Sequence, residues 1–300
     1  MDDGDRYLVE QAGTVVTFEG RAVGSLLHRL MPLLDGTRTV EDLENELGPS
    51  VAPAIEQALG LLESHRLLVD GPTATETDDA LAVTADFAVT VNRRGNRAAA
   101  GRAVAAAHVA VLGSGASAAE VARQLGQLGV GRVEPHPIDG VPSTDAFVLA
   151  APCAAEVSAL SPINGRALEQ GSPWLQLLPF DGRVVVVGPL FVPGTTACRR
   201  CYTLRRGACS GYEEDFDLVE EAPMRVRAPL PLVAMGASLA ALVTLRWLTT
   251  ADPALPGRFY SVDVGSILGL SHGHVLRVPR CPECGPPPQA VPAPWFVETT

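Results

Sequence analysis

The chain contains no lysine, and all 23 of its basic residues are arginine. That absence excludes a Walker-type lysine, Schiff-base chemistry on lysine, and any lysine that would steady a nucleotide phosphate. It also agrees with the codon bias of a GC-rich genome, so by itself it decides little. Positive charge is short overall: 34 acidic residues leave a formal net charge of −11. Such a balance argues against nucleic acid, whose binding needs clustered cations, and points to a protein or peptide partner. No uninterrupted apolar run reaches the roughly 18 residues of a bilayer span. The longest candidate, Leu230 to Leu248, carries Pro231 and Arg246 and reads as a buried helix, so no membrane partner is expected. The opening Met1-Asp2-Asp3-Gly4-Asp5 lacks the basic start and apolar core of a secretory signal. A cytoplasmic location with reduced cysteines is the expectation.

Three hundred residues, 47% of them apolar, suffice for about two packed domains. The chemistry stands in two CxxC pairs, Cys198-Arg199-Arg200-Cys201 and Cys281-Pro282-Glu283-Cys284. Each CxxC turn aims two sulfurs at one point, and four thiolates saturate a zinc ion with no position left for water. Cys198, Cys201, Cys281 and Cys284 are therefore expected to hold one structural zinc, with two disulfides or four unrelated cysteines as the alternative. Because residues 202–280 separate the pairs, the metal would tie a loop to the C-terminal segment. Cys153 and Cys209 are left over and read as small buried hydrophobes.

From Arg6 to Asp70 the pattern predicts two short strands and three helices. Tyr7 to Glu10 and Val15 to Phe18 are β-branched or aromatic, with a tight Ala12-Gly13 turn between them. Leu26, Leu27, Leu30, Leu33 and Leu34 recur at helical spacing until Asp35-Gly36. Thr39 caps the next helix, with Asp42 in a capping-box position. A third helix, Val51 to Ser64, places Ile55, Ala58, Leu59 and Leu62 on one face. This is a small winged-helix-type α+β module, but Glu41, Glu44, Glu46, Glu56 and Glu63 make its helices acidic, which argues against DNA. The stretch Leu33-Leu34-Asp35-Gly36-Thr37-Arg38-Thr39-Val40-Glu41-Asp42-Leu43 resembles PqqD-like modules, which bind leader segments of ribosomally made peptides. The resemblance covers residues 1–74 and implies that a leader adds as a strand and leans on the third helix. Its candidate contacts are Val15, Val16, Thr17, Phe18, Ala54, Gln57, Ala58 and Leu61, although the same residues also suit a module's own core.

Residues 75–106 read as a linker, polar at first and then an alanine-rich, helix-prone run from Ala98. His108 to Leu112 is a buried-strand run, followed by Gly113-Ser114-Gly115-Ala116-Ser117-Ala118 and a helix expected from Ala119 to Leu128. Gly113, Gly115 and Ala118 satisfy the Rossmann spacing, which alone is weak evidence because the same glycines also permit a tight turn. A dinucleotide reader needs an acid at the next strand end; here stands Glu134-Pro135-His136-Pro137, whose two prolines are expected to cut that strand short.

This order of elements, with "GVGRV" and then "VVVVGPLFVPGTTACRRC", resembles the ThiF-like adenylating superfamily related to ubiquitin-activating enzymes. The resemblance covers residues 107–285 and implies a Rossmann-like α/β domain in which the two CxxC pairs hold a structural zinc. Active members carry an acid after the second strand, an asparagine-arginine-glutamine segment, a lysine and a later aspartate. Here Pro137 occupies the first place, no lysine exists, and Ala150-Ala151-Pro152-Cys153 lacks the aspartate. Transition-state electrostatics of adenylation are therefore missing. The two resemblances together imply a non-catalytic partner of a YcaO-type cyclodehydratase, which captures a precursor peptide's leader while the YcaO subunit binds ATP and forms azolines. Neither ATP nor NAD is expected as a cofactor of this chain, and no residue is assigned to catalysis. Two alternatives remain: an ATP-dependent adenylating enzyme of the ThiF superfamily using Arg123, Arg166 or Asp181 as substitutes, and a nicotinamide-dependent oxidoreductase suggested by the glycine turn alone.

Smaller features complete the reading. The Pro-rich tail 286–300, with Trp295 and Phe296, is either a docking segment or a free tail. The run Glu213-Glu214-Asp215-Phe216-Asp217 is expected as a solvated loop that stays mobile or meets an arginine-rich partner. His272-Gly273-His274 is expected in a loop. The Leu230–Leu248 helix is either a homodimer element or a core helix.

Overall fold

Tyr7 and Val9 alternate along one strand and face Phe18 and Val16 on the next, a period of two that puts four apolar side chains on one side of a ribbon. In the computed structural model this ribbon is β1 (Arg6–Gln11) and β2 (Thr14–Glu19), antiparallel. The structure describes residues 6–11, 14–20, 26–71, 79–92, 95–221, 227–265 and 268–285. The expected Ala12-Gly13 turn and the tail 286–300 lie outside them. The chain divides into two compact units, Met1–Ala106 with Leu248–Ala251, and Ala107–Trp247 with Asp252–Thr300.

In the first unit the ribbon's apolar side packs with Leu30, Leu43, Ile55 and Leu62. Helix α1 (His28–Leu30) runs straight into a single 3₁₀ turn, Met31–Leu33, because Pro32 removes a backbone donor where a longer α-helix needs one. Helix α2 (Val40–Leu47) starts with a complete capping box: the Thr39 hydroxyl accepts from the Asp42 N–H at 3.2 Å, and the Asp42 carboxylate accepts from the Thr39 N–H at 2.8 Å. Helix α3 (Ala52–Ser64) supplies the third wall.

The segment 75–106, read as a linker, contains two helices, α4 (Ala80–Asn92) and α5 (Arg97–Ala106). Helix α4 is apolar all round, so it shows no periodic stripe. It is held by packing of Ala85 and Val89 on Ala100 and Val69, and by the Arg97 guanidinium on Asp86. Pairing of this kind depends on contacts between segments and leaves little trace in local sequence.

The second unit is built on a seven-stranded mixed sheet in the order β4-β3-β5-β6-β7-β8-β9. Its strands are β3 (His108–Leu112), β4 (Arg132–His136), β5 (Phe147–Ala150), β6 (Trp174–Leu178), β7 (Val184–Phe191), β8 (Arg258–Asp263) and β9 (Gly269–His274). Strands β3 to β6 are parallel and β6 to β9 antiparallel, so the expected α/β class holds. Three local expectations change. Helix α6 (Ala116–Gln127) begins directly after Gly115, not at Ala119. Strand β4 passes through Pro135, which an edge strand tolerates because no outer neighbour needs its missing donor. His272 and His274 lie in β9, the opposite edge strand, and not in a loop.

Alternate residues of β7 serve opposite faces. Val186 clusters with Leu160 and Ile163 of α7 (Leu160–Gln170) and with Tyr202 of α8 (Arg199–Ala208). On the other face, Val185 meets α10 (Leu230–Thr250) so closely that a Cβ on Gly236 would lie 2.8 Å from its Cγ1. The expected buried helix is present, and Pro231 and Arg246 do not interrupt it. Pro231 falls in its first turn, where no intrahelical partner awaits its nitrogen, so the helix runs unbroken. By length and composition alone it is long and apolar enough to cross a membrane. Val233, Ala237, Ala240 and Ala241 on one side of it are buried within the protein.

Candidate functional site

Cys198 is the N-cap of α8, and Cys201 lies one turn into that helix, so the first CxxC pair is held by a helix start. Cys281 and Cys284 flank a tight turn closed by the Gly285 N–H on the Cys281 carbonyl at 2.9 Å; a Cβ on Gly285 would lie 2.4 Å from that oxygen. The four sulfurs converge. Cys198 and Cys281 are 3.7 Å apart, Cys201 and Cys284 3.5 Å, Cys198 and Cys201 3.9 Å, and all four lie within 4.8 Å of one another. Corners of a tetrahedron with roughly 2.3 Å metal–sulfur bonds stand roughly 3.8 Å apart, so the donor set fits a four-coordinate ion. Separations of this kind are far beyond a covalent S–S bond, and all four cysteines are free thiols.

The cluster is closed and braced. Its sulfurs belong to the same apolar core as Trp174, Phe191 and Tyr202, with Cys198, Cys201 and Cys281 buried. The Val278 N–H donates to the Cys201 sulfur at 3.3 Å. Asn164 accepts from the Arg199 N–H at 2.9 Å and donates to Glu283 at 2.5 Å, linking the two pairs through one side chain. Arg205 donates to the Leu276 and Arg277 carbonyls at 2.6 and 3.0 Å. Burial pushes the Cys198 and Cys284 thiols up, whereas at Cys281 the backbone amides of Cys284 and Glu283 outweigh burial and leave the thiol lowered. A cation among them would supply the charge that thiolates need. Of the remaining cysteines, Cys153 is half-buried and Cys209 is exposed, which corrects the expectation of two buried hydrophobes.

The acidic run 213–217 keeps its carboxylates exposed, as expected of a solvated segment, but it is helical and anchored and not a free loop. Its Phe216 is buried and opens helix α9 (Phe216–Glu221), Asp217 meets Arg200 at 3.2 Å, and Glu220 takes both 2.7 and 2.9 Å bonds from Arg206. The arginines it meets are this chain's own, carried on α8.

In the first unit a groove of about 480 Å³ runs between β2 and α3. Val16, Thr17 and Phe18 form one wall, Ala54, Gln57, Ala58 and Leu61 the other. Leu26, Leu27 and Glu19 also line it, as does His65, whose ring meets Phe18 edge-on at 6.0 Å. Leu62 lines it as well. His65 lies four residues past Leu61 on the same helical face and Glu19 two past Thr17 on the same strand face, so periodicity could have found both, whereas Leu26 and Leu27 come from a separate segment. Val15 lies apart from the groove and is 57% exposed. Leu61 is likewise 45% exposed, an apolar side chain with solvent where a core residue would have neighbours. Among the described residues, β2 pairs with β1 alone, so its second edge carries unpaired backbone groups.

The glycine turn is occupied by packing. A Cβ on Gly113, at φ 140°, would lie 2.2 Å from the Ala151 carbonyl oxygen, and one on Gly115 3.2 Å from the Cys153 Cβ. Ala118 is buried against Gly113. At the next strand, Glu134 is bound to His108 at 2.9 Å and to Arg132. The side chains considered as substitutes are also engaged: Arg123 with Glu120 and Gln127 at 2.8 and 2.6 Å, Arg166 with the Gly140 carbonyl at 3.2 Å, and Asp181 with the Arg183 and Val184 amides at 2.9 and 2.7 Å.

No family model and no curated protein matches the sequence. Solved structures do match in fold. A heterocyclase in complex with substrate and cofactor superposes with a TM-score of 0.68 at 22% identity, covering 94% of this chain and 38% of that one. The heterocyclase TruD gives 0.65 at 22% identity, covering 94% and 42%. MccB of E. coli with MccA-N7isoASN gives 0.61 at 12% identity, covering 94% and 98%. The chain thus spans about two fifths of the length of the two heterocyclases and nearly all of MccB.

Proposed function

We propose that this chain binds the leader of a ribosomally made precursor peptide and presents its core to a YcaO-type cyclodehydratase that forms azolines. The observation that carries the proposal is the groove: an apolar channel beside an open strand edge, in a chain whose fold matches two heterocyclases over 94% of its length. On this reading residues 1–74 are a PqqD-like winged-helix module and residues 107–285 a ThiF-like domain. A leader would pair with the free edge of β2 through backbone hydrogen bonds and set alternate apolar side chains against Ala54, Ala58 and Leu61. Holding the leader keeps the core at millimolar effective concentration at the catalytic subunit when the spacer suits. Arginine-only basicity, engaged substitutes and a packed glycine turn all support delivery over adenylation by this chain. We assign Cys198, Cys201, Cys281 and Cys284 to a structural zinc ion, which would contribute folding energy and no chemistry, because a four-thiolate shell leaves no open position.

The test is fluorescence polarisation of labelled leader segments, taken from small reading frames beside the gene, against the full chain and Leu61→Asp. Leu61 is exposed enough to tolerate the change. A loss of affinity of about tenfold or more is expected, since a carboxylate in an apolar groove is left unpaired. Equal affinity would remove the groove from the proposal.

The second reading is an adenylating enzyme, favoured by the match to nearly the whole length of MccB. ATP–pyrophosphate exchange stimulated by a precursor peptide would establish it in place of the first.

A further inference from the structure

Glu156 stands in the 3₁₀ turn Ala154–Ala159 that follows β5, three residues beyond Cys153. Its carboxylate reaches across to the glycine turn after β3. There one oxygen accepts the Ser114 hydroxyl at 2.5 Å and the other the Ser114 N–H at 3.2 Å, while that second oxygen also caps its own turn by accepting the Cys153 N–H at 2.9 Å. Three donors from two separate turns thus close on one anionic group. Backbone amides and a serine hydroxyl in a glycine turn that opens a helix are the donors such turns offer to a phosphate oxygen. Burial pushes the Glu156 carboxyl up, but the bonds from Ser114 and Cys153 outweigh it and leave it lowered, so the group is held ionised. The Rossmann spacing of Gly113, Gly115 and Ala118 is therefore complete in sequence and filled in space.

We infer that Glu156 is an internal ligand of the glycine turn, an autoinhibitory contact that excludes phosphate from Ser114 and the start of α6. The contact does two things. It places a negative charge where an incoming phosphate would carry the same sign, and it uses the Ser114 donors that a phosphate would need. It also pins the β3 and β5 turns together, which gives the retained glycines a structural use independent of any nucleotide. The inference stands whether or not the groove binds a leader.

Isothermal titration of inorganic pyrophosphate, and of ATP, into the full chain tests it. The unaltered protein is expected to show no saturable binding at millimolar ligand. Glu156→Ala and Glu156→Gln are expected to bind pyrophosphate at least about tenfold more tightly, because apparent affinity is cut by the fraction of chains whose site is closed. Folding of each variant is checked by its thermal melt. Should Glu156→Ala not fold, Glu156→Gln decides, since it keeps size and an acceptor while removing the charge. Binding by the unaltered chain as tight as by the variants would overturn the inference, and so would folded variants that gain none.

Discussion

Asp35 shows how a single exposed residue organises the first unit. Its carboxylate accepts the Thr37 hydroxyl at 2.6 Å and the Thr37 N–H at 2.9 Å, and pairs with Arg38. These bonds, led by Thr37, lower its pKa from 3.8 to about 2. A carboxyl whose pKa is depressed on folding contributes stability above its unfolded value, and that contribution is lost as pH falls toward the folded value. Asp35→Asn is therefore expected to destabilise the chain near neutral pH, and the gap between variant and parent should shrink between about pH 4 and about pH 2. Urea unfolding at several pH values reads this directly. A gap of constant size across that range would show that the loop, and not its charge, matters. The cysteines are the other residues whose effect is local in origin: Cys284→Ser is expected to abolish stoichiometric zinc, measured by elemental analysis against one ion per chain in the parent.

At the scale of elements, α10 lies close against the sheet. Gly236 lets the helix lie on β7 and β6, where an added Cβ would meet Val185 at 2.8 Å and Leu177 at 3.3 Å. Gly236→Leu is expected to cost about 1–3 kcal/mol through overpacking, visible as a lowered urea midpoint. An unchanged midpoint would mean that the helix can move outward at little cost. Helix α2 offers a milder probe: Thr39→Ala removes one half of a reciprocal cap and is expected to cost about 1 kcal/mol. Differential scanning calorimetry showing no shift would indicate that packing of Leu43 and Leu47 holds the helix without its cap.

For the molecule as a whole, the cysteine cluster ties the start of α8 to the segment 276–285, which is also held by Arg205, Arg277 and Asn164 and by packing of Val278. Chelation is expected to lower the melting temperature of the second unit by several degrees, because the ion's binding energy is folding energy. The proposed leader binding, assigned to the groove in the first unit, is expected to persist below that lowered transition. Circular dichroism with and without a strong chelator, paired with the polarisation assay, separates the two. A melt indifferent to chelation would sink the structural assignment.

Much of this was legible in sequence where the signal is local or repeated at short range. The β-branched and aromatic residues of 7–10 and 15–18 determined two strands, Thr39 and Asp42 a helix start, and the CxxC spacing two dithiol turns, since each depends on neighbours within a few positions. The α/β class followed from a strand, a glycine turn and a helix in that order. What only the tertiary structure decided is everything that needs two distant segments at once. Residues 202–280 lie between the two half-sites, so their convergence was an expectation until the sulfurs were placed. The alanine-rich run of α5 was legible as helix-prone, but α4 packs on it through Ala85, Val89 and Ala100 and carries no stripe to read. Pro135 is tolerated because β4 is an edge, a fact about strand order that no residue in β4 states. The acidic run meets Arg200 through Asp217 and the following Glu220 meets Arg206, and Glu156 fills a turn some forty residues upstream of it. Periodicity records what one element needs from its own core, whereas complementarity between elements is fixed only when they pack.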